Sequence, residues 1–226
     1  MITQIYSMKS VEEALAVIEA GADYIGMAPP QRLKGGVKAP GEISEEMCLA
    51  ILEAAKGLAK CVLIASNDDE DYYCEIVRKY RPDFIQITGN RVTINGRLRD
   101  RIKETSPDIS IIQAVCMDGE EAITRAQKFA EYADLLILDS IASEGKFIGA
   151  AGITHNWDWD REIIEQVKIP VIMAGGLGAD NVAEAIERVH PFGVDSLTRT
   201  NSSSPEKKGQ KDIALVREFC RIAHSY

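Results

Sequence analysis

The stretch Val171–Ile186 reads VIMAGGLGADNVAEAI, and its three parts decide the fold. A short β-branched apolar run is followed by Gly175, Gly176 and Gly178, and then by Asp180 and Asn181 opening a segment with helical spacing. That is a buried strand turning tightly into a helix. Outward from it the same unit recurs. Strand-like runs are expected at about Thr3–Ser7, Tyr24–Pro29, Cys61–Ser66, Phe84–Gly89, Ile109–Cys116, Leu135–Ser140, Val171–Gly176 and Gly193–Thr198. They are nearly continuous in apolar character, as strands buried on both faces are. Helical segments lie between them. Ser10 caps one, with Glu13 at the capping-box position, Gly21 behind it, and Val11, Ala14, Leu15 and Ile18 as its apolar stripe. Ser44 is expected to cap a second, Asp118 to open a third and Asp180 a fourth, while Asp212–His224 forms the last. Between the fourth and fifth strands the pattern weakens, and RVTI (91–94) reads as an extra short strand ahead of its helix.

Eight alternating strand and helix units predict an α/β protein, a (β/α)8 TIM barrel occupying residues 1–226 as a single domain. The rival, a doubly wound open sheet, would need GxGxxG after an early strand, and none is there. The Pro/Gly-rich segment 29–41 and the Ser-rich segment 202–205 each follow a strand, so a barrel makes them loops of its C-terminal face and not linkers.

Composition narrows the partners. Of 226 residues, 35 are acidic and 26 basic, which argues against a general nucleic-acid binder. No apolar run approaches the roughly 20 residues needed to cross a bilayer. The N-terminus MITQIYSMKS lacks a basic region followed by an apolar one, so no signal peptide is expected. Cys48, Cys61, Cys74, Cys116 and Cys220 are odd in number and widely spaced, which suits free thiols in a cytoplasmic protein. Monomer and homodimer are both open.

Several residues carry chemistry on their own terms. Gly175, Gly176 and Gly178 let backbone approach an anion at a helix start, and barrels often hold phosphate above strands seven and eight. A tight turn alone would also use them. Thr198 and Arg199 follow strand eight and are candidate donors to the same anion, although a solvated loop is an alternative for Arg199. Asp139 ends the sixth strand, where catalytic groups of barrels emerge; partial burial would raise its pKa and let it carry a proton. Asp195, near the top of strand eight, would orient a ligand hydroxyl or organise its loop. Gln86 points from strand four and needs partners inside a barrel. His155, in GITHNWDWD after strand six, is a candidate base, with surface exposure the blander alternative. Trp157 and Trp159 would anchor that loop, and His190 ends a helix. Asp158 and Asp160 lack accompanying metal-ligand spacing, so neither metal nor cofactor is expected.

The ordered set SVEEALAVIEAGADYIG (10–26), DFIQITG (83–89), EYADLLILDS (131–140), Trp159, IMAGGLGADNVAEAI (172–186), HPFGVD (190–195) and Lys211–Asp212 resembles the phosphoribosylanthranilate isomerase family of tryptophan biosynthesis over nearly the whole chain. The resemblance implies an Amadori rearrangement of an aminoaldose phosphate. Asp139 would be the general acid, Gly175, Gly176 and Gly178 the phosphate loop, Arg32 in APPQR the arginine on the anthranilate side, and Asp195 the acid of strand eight. The family's first-strand cysteine, its general base, is replaced by Tyr6. A phenol titrates near 10 against about 8.5 for a thiol, so Tyr6 serves as a base only beside positive charge; otherwise it donates a hydrogen bond or narrows the pocket. Thr88 replaces the fourth-strand histidine, Ala151–Thr154 a glycine-rich segment, and Ser196–Asn201 the segment after strand eight. Three readings follow: an isomerase in which Asp139 acts with Tyr6, His155 or water; a binding or regulatory protein that keeps the phosphate pocket; and a lyase or aldolase on a related phosphate, for which no lysine stands at a strand end.

Overall fold

The computed structural model describes residues 1–31, 41–89, 92–140 and 152–226. Eight strands pair in chain order and close: β1 (Ile2–Tyr6), β2 (Tyr24–Met27), β3 (Lys60–Ala65), β4 (Phe84–Ile87), β5 (Ser110–Cys116), β6 (Leu135–Asp139), β7 (Val171–Met173) and β8 (Gly193–Ser196). Every pairing is parallel, and β8 returns to β1 with Gln4 opposite Asp195. The helices are α1 (Val11–Glu19), α2 (Glu45–Ala55), α3 (Glu70–Tyr80), α4 (Gly96–Thr105), α5 (Glu121–Ala130), α6 (Trp157–Gln166), α7 (Val182–Val189) and α8 (Ile213–Ala223). Parallel neighbours need a crossover, and each helix supplies one. The expected (β/α)8 barrel is thus the observed one.

Period-two alternation divides the apolar residues between two clusters. Ile5, Ile25, Leu63, Ile85, Leu136 and Leu138 face the helices in the larger one. Val62, Phe84, Ile112, Ala114, Leu135, Ile137, Ile172 and Ala174 fill the barrel, together with Tyr6. Gln4, Gln86, Asp139 and Asp195 share the inward phase of their strands, so the barrel's own pleat turns them toward its axis.

The N-terminal end of the barrel repeats one device. Asp23 accepts from the Thr3 amide at 2.8 Å, Asp83 from the Cys61 amide at 2.9 Å and Asp134 from the Ile111 amide at 2.9 Å. Each aspartate precedes an even-numbered strand and takes an amide of the strand before it. Each is also paired: Asp23 with His224, Asp83 with Lys60, Asp134 with Arg99 and Lys103. Charge-assisted bonds of this kind stitch strand pairs at the face that carries stability.

Local expectations fare unevenly. Ser10 and Ser44 cap their helices as expected, accepting from the Glu13 and Met47 amides, and Asp212 caps α8, accepting from that of Ala214. Glu13 does not close a box on Ser10; its carboxylate takes the amides of Lys9 and Lys211. In α1 the buried residues are Ala14 and Val17, while Leu15 is exposed. Asp118 opens no helix, because its carboxylate is bound to Arg125 and α5 begins after a turn with no side-chain cap. Asn181, not Asp180, is the boundary residue of α7. The RVTI segment forms no strand over its described residues; Ile94 is buried and its amide donates to the Gln113 side chain at 2.7 Å.

Tyr6 marks where the barrel has adjusted around a large side chain. Its ring lies across Gly26 on the adjacent strand, directly opposite in register, and a Cβ on Gly26 would overlap the ring. Overpacking in a filled interior typically costs about 1–3 kcal/mol. Gly26→Ala is therefore expected to lower the unfolding free energy by about that amount. In a Tyr6→Cys background the same substitution should cost markedly less. Equal costs in the two backgrounds, measured by urea denaturation, would show that the ring does not occupy this space.

Candidate active site at the C-terminal mouth of the barrel

Asp139 is the last residue of β6, two positions beyond the barrel-filling Ile137, and its carboxyl faces the mouth. The Ser140 amide donates to its Oδ1 at 2.8 Å. Burial pushes its pKa up to about 7, against the opposing pull of that amide and of His155. Asp195 lies in β8 and is also buried; burial, then the charge of Asp139, hold its pKa well above the ordinary carboxylate range, with Gln4 and Lys211 partly offsetting. Its Oδ1 has no hydrogen-bond partner among the described residues, and neither has the amide group of Gln4 opposite it. Asp139 and Asp195 line one cleft with Gly152, Gly175, Gly176 and Thr198. Its enclosed volume of about 20 Å³ holds one water and not a whole metabolite.

The glycine loop is the cleft's other wall. Gly175 and Gly176 have φ of 84° and 64°, which only glycine adopts freely. A Cβ on Gly176 would come within 2.7 Å of the Ile153 carbonyl carbon, and one on Gly175 within 2.6 Å of Ser140 Oγ. Asn181 braces the loop from below. Its Oδ1 accepts from the Gly178 amide at 2.9 Å, and its Nδ2 donates to the Gly176 carbonyl at 3.1 Å. The amide of Gly178 is thereby already used, unlike the expectation that all three glycines present themselves to an anion. Thr198 stands across from Gly152 at the cleft. Arg199 lies over Gly178 and forms an ion pair with Asp180, so it would have to leave that partner to meet an anion.

His155 is placed differently from either expectation. Its side chain is 5% exposed, so the surface alternative fails. Nδ1 is 3.0 Å from Ser140 Oγ and Nε2 is 2.9 Å from Asp160 Oδ1. The Ser140 hydroxyl spends its proton on the Ile153 carbonyl at 2.8 Å. Both ring nitrogens thus have acceptors, and neither turns a lone pair to the cleft. The imidazole sits behind Gly175 as a brace, which removes it as a base. Trp157 is buried in the first turn of α6, and His190 closes α7 in the left-handed conformation, in keeping with structural roles. Among the described residues no group of three or more potential ligands gathers around a metal position. No helix of the described residues is long and apolar enough to cross a membrane.

Among the described residues Tyr6 does not meet positive charge. Burial, Asp195 and Asp139 hold its pKa well above 10, and its hydroxyl donates to Gln86 Oε1. A base role for Tyr6 is contradicted by this environment, which keeps the proton on the phenol. Gln86 in turn finds its partner in Tyr6. Arg32 lies outside the described residues.

Lys211 is the residue that sequence reasoning undervalued. It is buried, and its Nζ donates to the Leu197 carbonyl at 2.8 Å, to Thr200 Oγ1 at 3.2 Å and to Asn201 Oδ1 at 2.8 Å. Burial lowers its pKa to about 7, with Asp195 and Glu13 opposing. It gathers the loop after β8 beneath the cleft. Its only signal in the sequence was its place before the helix-capping Asp212.

Residues 4–221 match the family model described as N-(5'phosphoribosyl)anthranilate (PRA) isomerase. An N-(5'-phosphoribosyl)anthranilate isomerase of Methanocella arvoryzae is 33% identical over 92% of this chain and 91% of its own length. That of Haloferax volcanii is 31% identical over 92% and 86%. Among solved structures, the phosphoribosyl anthranilate isomerase of Thermotoga maritima shares the fold with a TM-score of 0.80 at 24% identity, each chain covered completely. A phosphoribosyl anthranilate isomerase in complex with reduced 1-(o-carboxyphenylamino)-1-deoxyribulose 5-phosphate does so with a TM-score of 0.77 at 23% identity, again with both chains fully covered. A match across nearly all of the barrel, with relatives above 30% identity over most of both lengths, establishes that the chain belongs to the N-(5'-phosphoribosyl)anthranilate isomerase family.

Proposed function

We propose that this protein isomerises N-(5'-phosphoribosyl)anthranilate to the corresponding 1-amino-1-deoxyketose phosphate, with Asp139 as the acid that opens the sugar ring. The observation that carries the reading is a half-buried carboxyl with a pKa near 7, at the end of β6 beside a glycine-lined anion cradle. An ordinary aspartate is almost fully ionised at neutral pH and has no proton to give. Asp139 is half protonated there, which matches the optimum for a general acid.

The substrate's phosphate is placed at Gly175, Gly176 and Thr198. Backbone amides of a tight loop ahead of a helix suit a phosphate that must be held without a mobile counter-charge. With the phosphate fixed, the furanose oxygen and C1 lie over the strand ends. Asp139 donates to the ring oxygen as its bond to C1 breaks. The lone pair of the anthranilate nitrogen forms the C1=N bond, giving an open-chain Schiff base. Loss of the C2 proton then gives an enaminol, which ketonises to the product. Gln86, held by the Tyr6 hydroxyl, presents a neutral polar wall to the sugar, and the phenol fills space that would admit a bulkier group. His155, through Ser140 and Gly175, keeps the acid and the cradle in register. The free and mostly buried thiols suit a reducing cytoplasm, where we place the reaction. A purely binding protein has less support, since it gains nothing from a carboxyl whose burial is unfavourable.

That cost gives a stability test as well as an activity test. The folded pKa of Asp139 stands above its unfolded value, so its contribution to stability is fully present below about pH 4 and is lost as pH rises through about 7. Asp139→Asn keeps an acceptor for the Ser140 amide and never ionises. Turnover of N-(5'-phosphoribosyl)anthranilate, followed by the fluorescence of its anthranilate ring, is expected to fall by about 10²–10⁴-fold in this variant. Its melting temperature should exceed the parent's at pH 8 by more than at pH 5. Parental turnover with an unchanged rate in the variant would remove Asp139 from the acid role.

The cradle makes its own prediction. Gly176→Ala brings a methyl against Ile153 in a left-handed backbone. Strain of this kind costs about 1–3 kcal/mol. The variant should therefore raise KM by about tenfold or more with a smaller change in kcat, and weaken inorganic phosphate as a competitive inhibitor. A KM unchanged within twofold would place the phosphate elsewhere.

A further inference from the structure

Once Asp139 is the acid, the reaction still needs a group to take the proton from C2, and the groups first considered for it are spoken for. The Tyr6 hydroxyl donates to Gln86, and both nitrogens of His155 are bound within the scaffold. We infer that Asp195 is the base of this site, forming with Asp139 a one-proton carboxyl pair that replaces a separate thiol base. The inference rests on the isomerase reading above and deepens it.

Three observations converge on Asp195. Its carboxyl is on the inward face of β8 and lines the same cleft as Asp139. It is 4% exposed, and its Oδ1 has no hydrogen-bond partner among the described residues. A buried carboxylate oxygen left unpaired is costly, so such an atom normally has a partner in another state of the molecule. The open oxygen is turned to the space where substrate would lie, with no protein hydrogen bond to break before it takes a proton. The groups facing it are Asp139 from β6, Tyr6 and Gln4 from β1, and Lys211 from the segment before α8. Burial and the charge of Asp139 resist a second negative charge in the cleft, and Gln4 and Lys211 offset them only in part, so the pair keeps one proton between its members at neutral pH. In the productive state that proton sits on Asp139, facing the ring oxygen, and the Asp195 carboxylate faces C2.

The proton and electron accounting closes on these two groups. Asp139 gives its proton to the ring oxygen as the C1–O bond breaks and C1=N forms. Asp195 takes the C2 proton. The C2–H electron pair becomes the C1=C2 bond, and the C1=N π pair returns to nitrogen. Asp195 then returns a proton to C1, while Asp139 takes the proton of the C2 hydroxyl as C2=O forms. Both carboxyls end as they began, and no other reactant is needed.

The test uses the full-length protein, the substrate with hydrogen or deuterium at C2, and reduced 1-(o-carboxyphenylamino)-1-deoxyribulose 5-phosphate as the binding probe. Asp195→Asn is expected to lose at least about 100-fold in turnover while binding the probe within threefold of the parent. Asp195→Glu should recover at least tenfold over the amide and show a larger C2 isotope effect than the parent. On the acid side the parent's rate should fall as the pair takes up its second proton. Retention of more than a tenth of parental turnover in Asp195→Asn would overturn the assignment. So would a loss of turnover matched by an equal loss of probe affinity, or a glutamate variant no better than the amide. A parent that binds the probe but turns nothing over would instead overturn the isomerase reading on which the assignment rests.

Discussion

Two carboxyl groups inside the mouth of a closed barrel, with no ion pair to either among the described residues, are the constraint around which this site is organised. A sheet that closes on itself leaves little room for solvent at its axis, so Asp139 and Asp195 lose hydration that their charged forms need. The amide of Ser140, the more distant His155 and the buried Lys211 repay part of that loss and not all of it. Both carboxyls are pushed above the ordinary carboxylate range by this shortfall, which is what the proposed acid and base roles require.

The same residue type does opposite work at the two ends of the barrel. Asp23, Asp83 and Asp134 precede even strands at the N-terminal end, accept a neighbouring strand's amide, and meet His224, Lys60, or Arg99 and Lys103. They have polar or charged partners and they hold strands together. At the other end the partners are withheld. Tyr6 completes the contrast. Where the family resemblance points to a thiol, a phenol reaches across Gly26 to Gln86 and stays protonated between two carboxyls. With the small nucleophilic side chain gone, the proposed mechanism assigns proton transfer to the carboxyls that the phenol faces.

The architecture was legible because it rests on local periodicity. All eight strands were found within a few residues of their bounds, since buried parallel strands read as short β-branched runs bounded by turns. Asp139 and the glycines stood out because a polar or glycine residue at the end of such a run has few structural excuses. What could not be read was pairing across the barrel. Nothing local to Gln86 or Tyr6 says that eighty residues of chain bring them together. His155 looked like a loop residue because its partners, Ser140 and Asp160, gain meaning only when α6 folds back on β6. Lys211 sits in a polar stretch, yet its ammonium is drawn inward by three oxygens of the preceding loop. Asp118 misled because Arg125, one turn into α5, competes for the carboxylate that would have capped the helix.

The account stands or falls on the retained proton. Infrared difference spectroscopy between pH 5 and pH 9 reads protonated carboxyls directly through their C=O stretch. The parent should keep a buried carboxylic-acid band at pH 7.5, and that band should be altered or lost in both Asp139→Asn and Asp195→Asn, as expected of one proton held by two groups. Absence of a protonated carboxyl at pH 7.5, or a band unaffected by either substitution, would contradict the account.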